Sequence, residues 1–131
     1  MHAISRIGSA ALLAAAGIIT VSGSALAGDL PTRIGACSES TIAETGGRLE
    51  GDDNFETGTF VSFDNGGVQI SYDRVEPIIG SRVGDPVRIC LVSLPTDCPP
   101  DDDRGKVYNT TNLRTGESWE LADSQHMCGG A

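Results

Sequence analysis

Four cysteines, Cys37, Cys90, Cys98 and Cys128, constrain this chain more than any other feature, because all of them follow a leader that directs export. Residues 10–21 form a short apolar run behind Arg6. Ala25, Leu26 and Ala27 then supply the small-x-small pattern after which a signal peptidase cleaves. The run is about a dozen residues, whereas a membrane-spanning helix needs about 20. Gly28 stands at the cleavage point where a lipid-anchored precursor would need a cysteine, and no twin arginine is present. The sequence therefore predicts cleavage following Ala27. It predicts a single domain over residues 28–131 that is soluble, exported to the periplasm or beyond, and without a membrane span.

An even number of cysteines in an oxidising compartment implies disulfides. Of the three connectivities open to four cysteines, the sequence favours Cys90 with Cys98, across the turn at residues 94–97. Cys37 with Cys128 would then clasp the two ends of the domain. Cross-links are needed, since the aromatic side chains are only Phe55, Phe60, Phe63, Tyr72, Tyr108 and Trp119, and a domain of this size buries a modest share of its surface. Structural zinc sites draw on closely spaced cysteine pairs, and spacings of 53, 8 and 30 residues supply none. Neither a metal nor a cofactor is expected.

Charge narrows the partners. With Arg6 removed, eight basic side chains face 18 acidic ones, a net of −10 for residues 28–131. Such a field repels phosphate backbones and anionic lipid, so nucleic acid is not an expected partner, whereas a cationic exported protein is.

Local patterning is that of short strands. Residues 59–63 and 68–72 alternate apolar and polar side chains on either side of Asn65 and Gly66, the preferred pair for a two-residue hairpin loop. In that register Phe63 faces Val68, Val61 faces Ile70 and Thr59 faces Tyr72, leaving Gln69 on the opposite face. Residues 87–94 read as a strand buried on both faces, ended by Pro95. Residues 106–112 and 118–121 form two further strands, with Leu113 opposite Trp119. Residues 40–44 make another, which residues 48–50 extend, and 51–57 read as a loop. Pro77 marks residues 74–80 as a connector, and no helix is expected. Five or six short strands joined by turns predict an all-β domain. The expected form is a small SH3-like or OB-like barrel, with a β-sandwich as the alternative, stapled by two disulfides.

Catalytic chemistry has little to draw on. His126 is the only histidine after the leader, and no serine sits in a nucleophile elbow. A thiol enzyme built on His126 and Cys128 requires Cys128 to be unpaired. Asp101, Asp102 and Asp103 are consecutive, whereas calcium loops alternate their ligands, so the run reads as a solvated turn rather than a calcium site. Residues 52–54 read the same way. The one region dense in interaction-prone side chains holds Arg104, Lys106, Arg114, Trp119 and His126. This group is the candidate interaction patch, against the simpler reading that Trp119 belongs to the core and the cations pair with nearby acids. The expectation is a non-enzymatic exported binding protein that binds or inhibits a cationic protein. The alternatives are the thiol enzyme and a structural domain of the cell envelope.

Overall fold

A computed structural model describes Gly17 and residues 28–130, so the expected leader, through Ala27 at its expected cleavage point, lies outside the described residues apart from Gly17. The strands are β1 (Cys37–Gly46), β2 (Thr59–Phe63), β3 (Val68–Ser71), β4 (Pro86–Ser93), β5 (Val107–Asn112) and β6 (Ser118–Ala122). A single helical turn, α1 (Glu76–Ile79), joins β3 to β4. All six strands form one antiparallel sheet in the order β3-β2-β1-β4-β5-β6, rather than the two facing sheets of a sandwich. The sheet curls until β3 and β6 meet, giving a half-barrel.

β1 is longer than the expected residues 40–44 and serves as the spine, but it ends at Gly46, and residues 48–50 lie in the following turn rather than extending it. Its first half, Cys37 to Thr41, pairs with β4, and its second half, Ile42 to Gly46, pairs with β2. A bulge between Ile42 and Glu44 separates the halves, which lets the strand bend and leaves Ala43 and Glu44 both facing out. One face of the sheet encloses the core: Ile42, Val61, Phe63, Val87, Ile89, Leu91, Tyr108 and Trp119. Ile78 of α1 is fully buried against them. Pro77 lies in the first turn of α1, where its missing N–H costs nothing, so the connector contains one helical turn that the sequence reading did not include.

Several expected registers are corrected. In the β2–β3 hairpin, Val61 pairs with Gln69 and Ser62 with Val68, one residue away from the two-residue-loop register. Only Gly66 takes a positive φ in this turn, at 87°, and its N–H bonds to the carbonyl of Phe63. The loop is therefore residues 64–66, and Phe63 N–H bonds across to Gly67. A one-residue slip turns the whole strand over, so Gln69 faces inward while Val68 and Ile70 lie half-buried on the outer face.

At the β5–β6 turn Thr110 pairs with Trp119, and Asn112 N–H bonds to Glu117, in place of a Leu113–Trp119 pair. Asn112 Oδ1 accepts the N–H groups of Arg114 and Thr115, which fixes a longer loop. β4 is not buried on both faces. Val87, Ile89 and Leu91 point to the core while Arg88 and Val92 are exposed.

The disulfides are Cys37–Cys90 and Cys98–Cys128, not the expected pairs. Cys37 and Cys90 are directly opposed in the β1–β4 ladder, so Cys90 is committed across the sheet. Cys98 instead takes the cysteine of the C-terminal segment, which folds back over residues 94–105.

Candidate functional site

The five side chains of the sequence-derived patch go to different places. Trp119 is core, and its indole Nε1 donates to Gln69 Oε1 at 2.8 Å. Arg114 chelates Asp85 with two hydrogen bonds of 2.6 and 2.9 Å, beyond the β5 end that leads to β6. Arg104 and Lys106 precede the opposite end of β5. Arg104 bonds Asp102 at 2.8 and 2.9 Å, and Lys106 bonds Asp103 at 2.7 Å. His126 is exposed against the ring of Tyr72, with centroids 6.5 Å apart. Four of the five are thus separately engaged by core or carboxylate partners, and they do not share one face.

The aspartate runs are organised by their own neighbourhoods. The Arg104 guanidinium and the Gly129 N–H hold the Asp102 carboxyl below the usual carboxylate range. Lys106 does the same to Asp103. Asp52 accepts the N–H groups of Asn54, Glu56 and Thr57 and the Thr57 hydroxyl, which together depress its carboxyl to about 2. Asp52 is the organiser of its loop. Cys128 is oxidised, so His126 has no thiol beside it to activate.

A different constellation forms where β1 runs into β2. Beyond Gly46 the chain turns at Gly47, where a Cβ would come within 2.4 Å of the Asp52 carbonyl oxygen, so only glycine permits this approach. With the loop pinned by Asp52, Arg48 is fixed. Its Nε donates to Thr57 O at 2.6 Å, its Nη1 donates to Gln125 Oε1 at 2.7 Å, and its guanidinium carbon lies 4.3 Å from the centre of the Tyr72 ring. Residues from three distant stretches of chain therefore meet at this corner.

Beside Arg48 opens a cavity of about 260 Å³, lined by Glu44, Gly47, Arg48, Glu50 and Phe60. Neither Glu44 nor Glu50 takes part in an ion pair among the described residues. Phe60 lies on the outer face of β2, is half-buried and lines the cavity.

No family model, curated protein or solved structure matches this chain.

The function must therefore be read from the site alone. Its chemistry is two carboxylates without ion-pair partners among the described residues and a phenylalanine, with the Arg48 guanidinium held on the neutral groups of Thr57, Gln125 and Tyr72, so the lining carries a formal net charge of one negative. That combination accepts a positive charge with an apolar stem. No helix among the described residues is long and apolar enough to cross a membrane.

Sequence reasoning missed Glu44, Glu50 and Phe60 because the strand and loop that carry them are separated by the bulge and by the Asp52 turn. One signal was present. Phe60 falls on the polar face of its own strand alternation, and an aromatic there calls for a partner.

Proposed function

We propose that this is a non-enzymatic exported binding protein that engages a cationic protein, taking a lysine or arginine side chain of its partner into the Glu44–Glu50–Phe60 cavity. The observation that carries this reading is that two carboxylates without ion-pair partners among the described residues, Glu44 and Glu50, line one cavity with Phe60. An incoming ammonium or guanidinium gains two charge-assisted contacts and the ring face, while its methylenes cover apolar surface. The net of −10 over residues 28–131 steers such a partner from a distance and disfavours nucleic acid. Periplasmic or secreted placement after cleavage following Ala27 belongs to the same proposal and supplies the oxidising compartment that two disulfides require.

For the scaffold we propose an OB-like barrel in preference to an SH3-like one. The strand order β3-β2-β1-β4-β5 with a helical turn between the third and fourth strands supports it. β6, at the other edge of the sheet, then comes against β3 without backbone pairing to it.

Calorimetric titration with basic exported enzymes at low and high salt tests the proposal. The expected result is binding that weakens as salt rises and that falls at least tenfold in Glu44→Gln/Glu50→Gln. Binding unchanged in that variant rejects the cavity, and an absence of binding at low salt rejects the cationic partner.

A further inference from the structure

The two disulfides differ in what surrounds them. Cys98 and Cys128 are both half-buried, and the C-terminal segment they hold is further bound by the Cys128 N–H to Arg104 O and the Gly129 N–H to Asp102 Oδ2. Cys37 is exposed and lies on the outer face of the sheet. An open cavity of about 320 Å³ adjoins it, lined by Cys37, Ser38, Glu39 and Arg88. A sulfur reached from solvent through such an opening is available to an attacking thiolate, which access otherwise limits.

The charge beside the bridge suits the same step. Arg88 pairs in register with Glu39 and stands two residues from Cys90 on one face of β4, which puts its side chain on the same outer face as both cysteines and in the lining of the cavity beside Cys37. No ion pair occupies the Arg88 guanidinium among the described residues. A nearby guanidinium stabilises a thiolate and so favours its departure.

The bridge also joins strands that are already joined. Ser38 to Thr41 pair with Ile89 to Pro86, and the Leu91 N–H bonds Ala36 O while the Gly35 N–H bonds Leu91 O. Backbone hydrogen bonds flank the disulfide on both sides, so the strands stay in register when the sulfurs part.

From these observations we infer that Cys37–Cys90 is a thiol–disulfide exchange site that a dithiol reductant opens at the surface of the folded protein, while Cys98–Cys128 is a structural link. A thiolate of the reductant attacks Cys37 Sγ, forming a mixed disulfide and breaking the bond to Cys90, which leaves as a thiolate beside Arg88. The second thiol of the reductant loses its proton to solvent and attacks its own sulfur in the mixed disulfide, releasing the Cys37 thiolate. Both cysteine thiolates then take protons from water. The protein bridge gains two electrons and the reductant is oxidised to its internal disulfide.

The test is a timed reaction of the oxidised protein with dithiothreitol, quenched with iodoacetamide and mapped by fragment-ion mass spectrometry. Cys37 and Cys90 are expected to become alkylated at least tenfold faster than Cys98 and Cys128. The rate should be linear in dithiol and unaffected by urea below the unfolding transition. With glutathione, a monothiol, the trapped mixed disulfide should sit on Cys37, and Arg88→Gln should slow opening at least threefold. A ratio below tenfold, a faster Cys98–Cys128 bridge, a rate that climbs with urea from zero, a mixed disulfide on Cys90, or an Arg88→Gln rate equal to the parent would each overturn the assignment.

Discussion

The side-chain amide of Gln69 is buried inside the half-barrel and bonded to Trp119, whose Nε1 donates to its Oε1 at 2.8 Å. The same oxygen accepts the Thr110 hydroxyl at 2.6 Å, while Nε2 donates to the carbonyls of Tyr108 and Leu121 at 2.8 and 3.0 Å. Every hydrogen-bonding position of this amide is used. One side chain thus ties β3 to both β5 and β6, across the gap that backbone pairing leaves open.

Replacing Gln69 by leucine keeps the volume and removes the partners. The Trp119 N–H and the Thr110 hydroxyl would then be buried and unbonded. The expected cost is about 2–4 kcal/mol, measured as a shift in the urea midpoint at unchanged slope. A neutral substitution would mean that the barrel closes without this amide.

The Asp85–Arg114 pair makes stability depend on pH. Arg114 is the main cause, helped by the Asn112 amide and the Arg82 N–H, that holds the Asp85 carboxyl far below its ordinary range. The contribution is fully present above about pH 4, the unfolded range, and is lost as pH falls toward the folded value. Asp52, depressed to about 2, acts in the same direction. Asp85→Asn should therefore be less stable than the parent at about pH 7, with the gap narrowing as pH drops below about 4. Denaturant titrations at several pH values measure that gap.

The β2–β3 turn offers a local test of the Gly66 conformation. Gly66 has φ 87°, a conformation that an L side chain adopts only with strain. Gly66→Ala should cost about 1 kcal/mol in thermal or urea unfolding. A two-residue loop would demand the same positive φ of Asn65, which does not adopt it.

The near miss at this hairpin shows where sequence reading stops. Strand positions, the meander of β5 and β6, and the all-β class were legible, since they rest on alternation and turn residues close together in the chain. The register was not, because Gly66 and Gly67 are adjacent and permit two loop lengths. What decides between them is Trp119 and Thr110, more than 40 residues away, which give Gln69 an interior position that its polarity alone argues against. Disulfide pairing was hidden for the same reason. Cys37 meets Cys90 only once β1 lies against β4. The cavity likewise needs the bulge between Ile42 and Glu44 and the Asp52 turn before Glu44, Glu50 and Phe60 line one space.

Removing Cys98 and Cys128 together, as alanines, opens a link across 30 residues. The chain-entropy model puts the loss at about 3–4 kcal/mol. The release should reach the Arg48 corner, since Gln125 and His126 lie just before Cys128 and contact Arg48 and Tyr72. Nuclear magnetic resonance of the Tyr72 ring would register it as a change in shift and mobility.

Binding at the Glu44–Glu50–Phe60 cavity is the claim on which the functional account stands. Its most direct test is a titration of isotope-labelled protein with a short oligolysine peptide, followed by amide chemical shifts at low and high salt. The account predicts saturable, salt-sensitive shifts centred on Glu44, Gly47, Glu50 and Phe60, abolished in Glu44→Gln/Glu50→Gln. Shifts spread over every acidic stretch, or centred on residues 101–103, would contradict it.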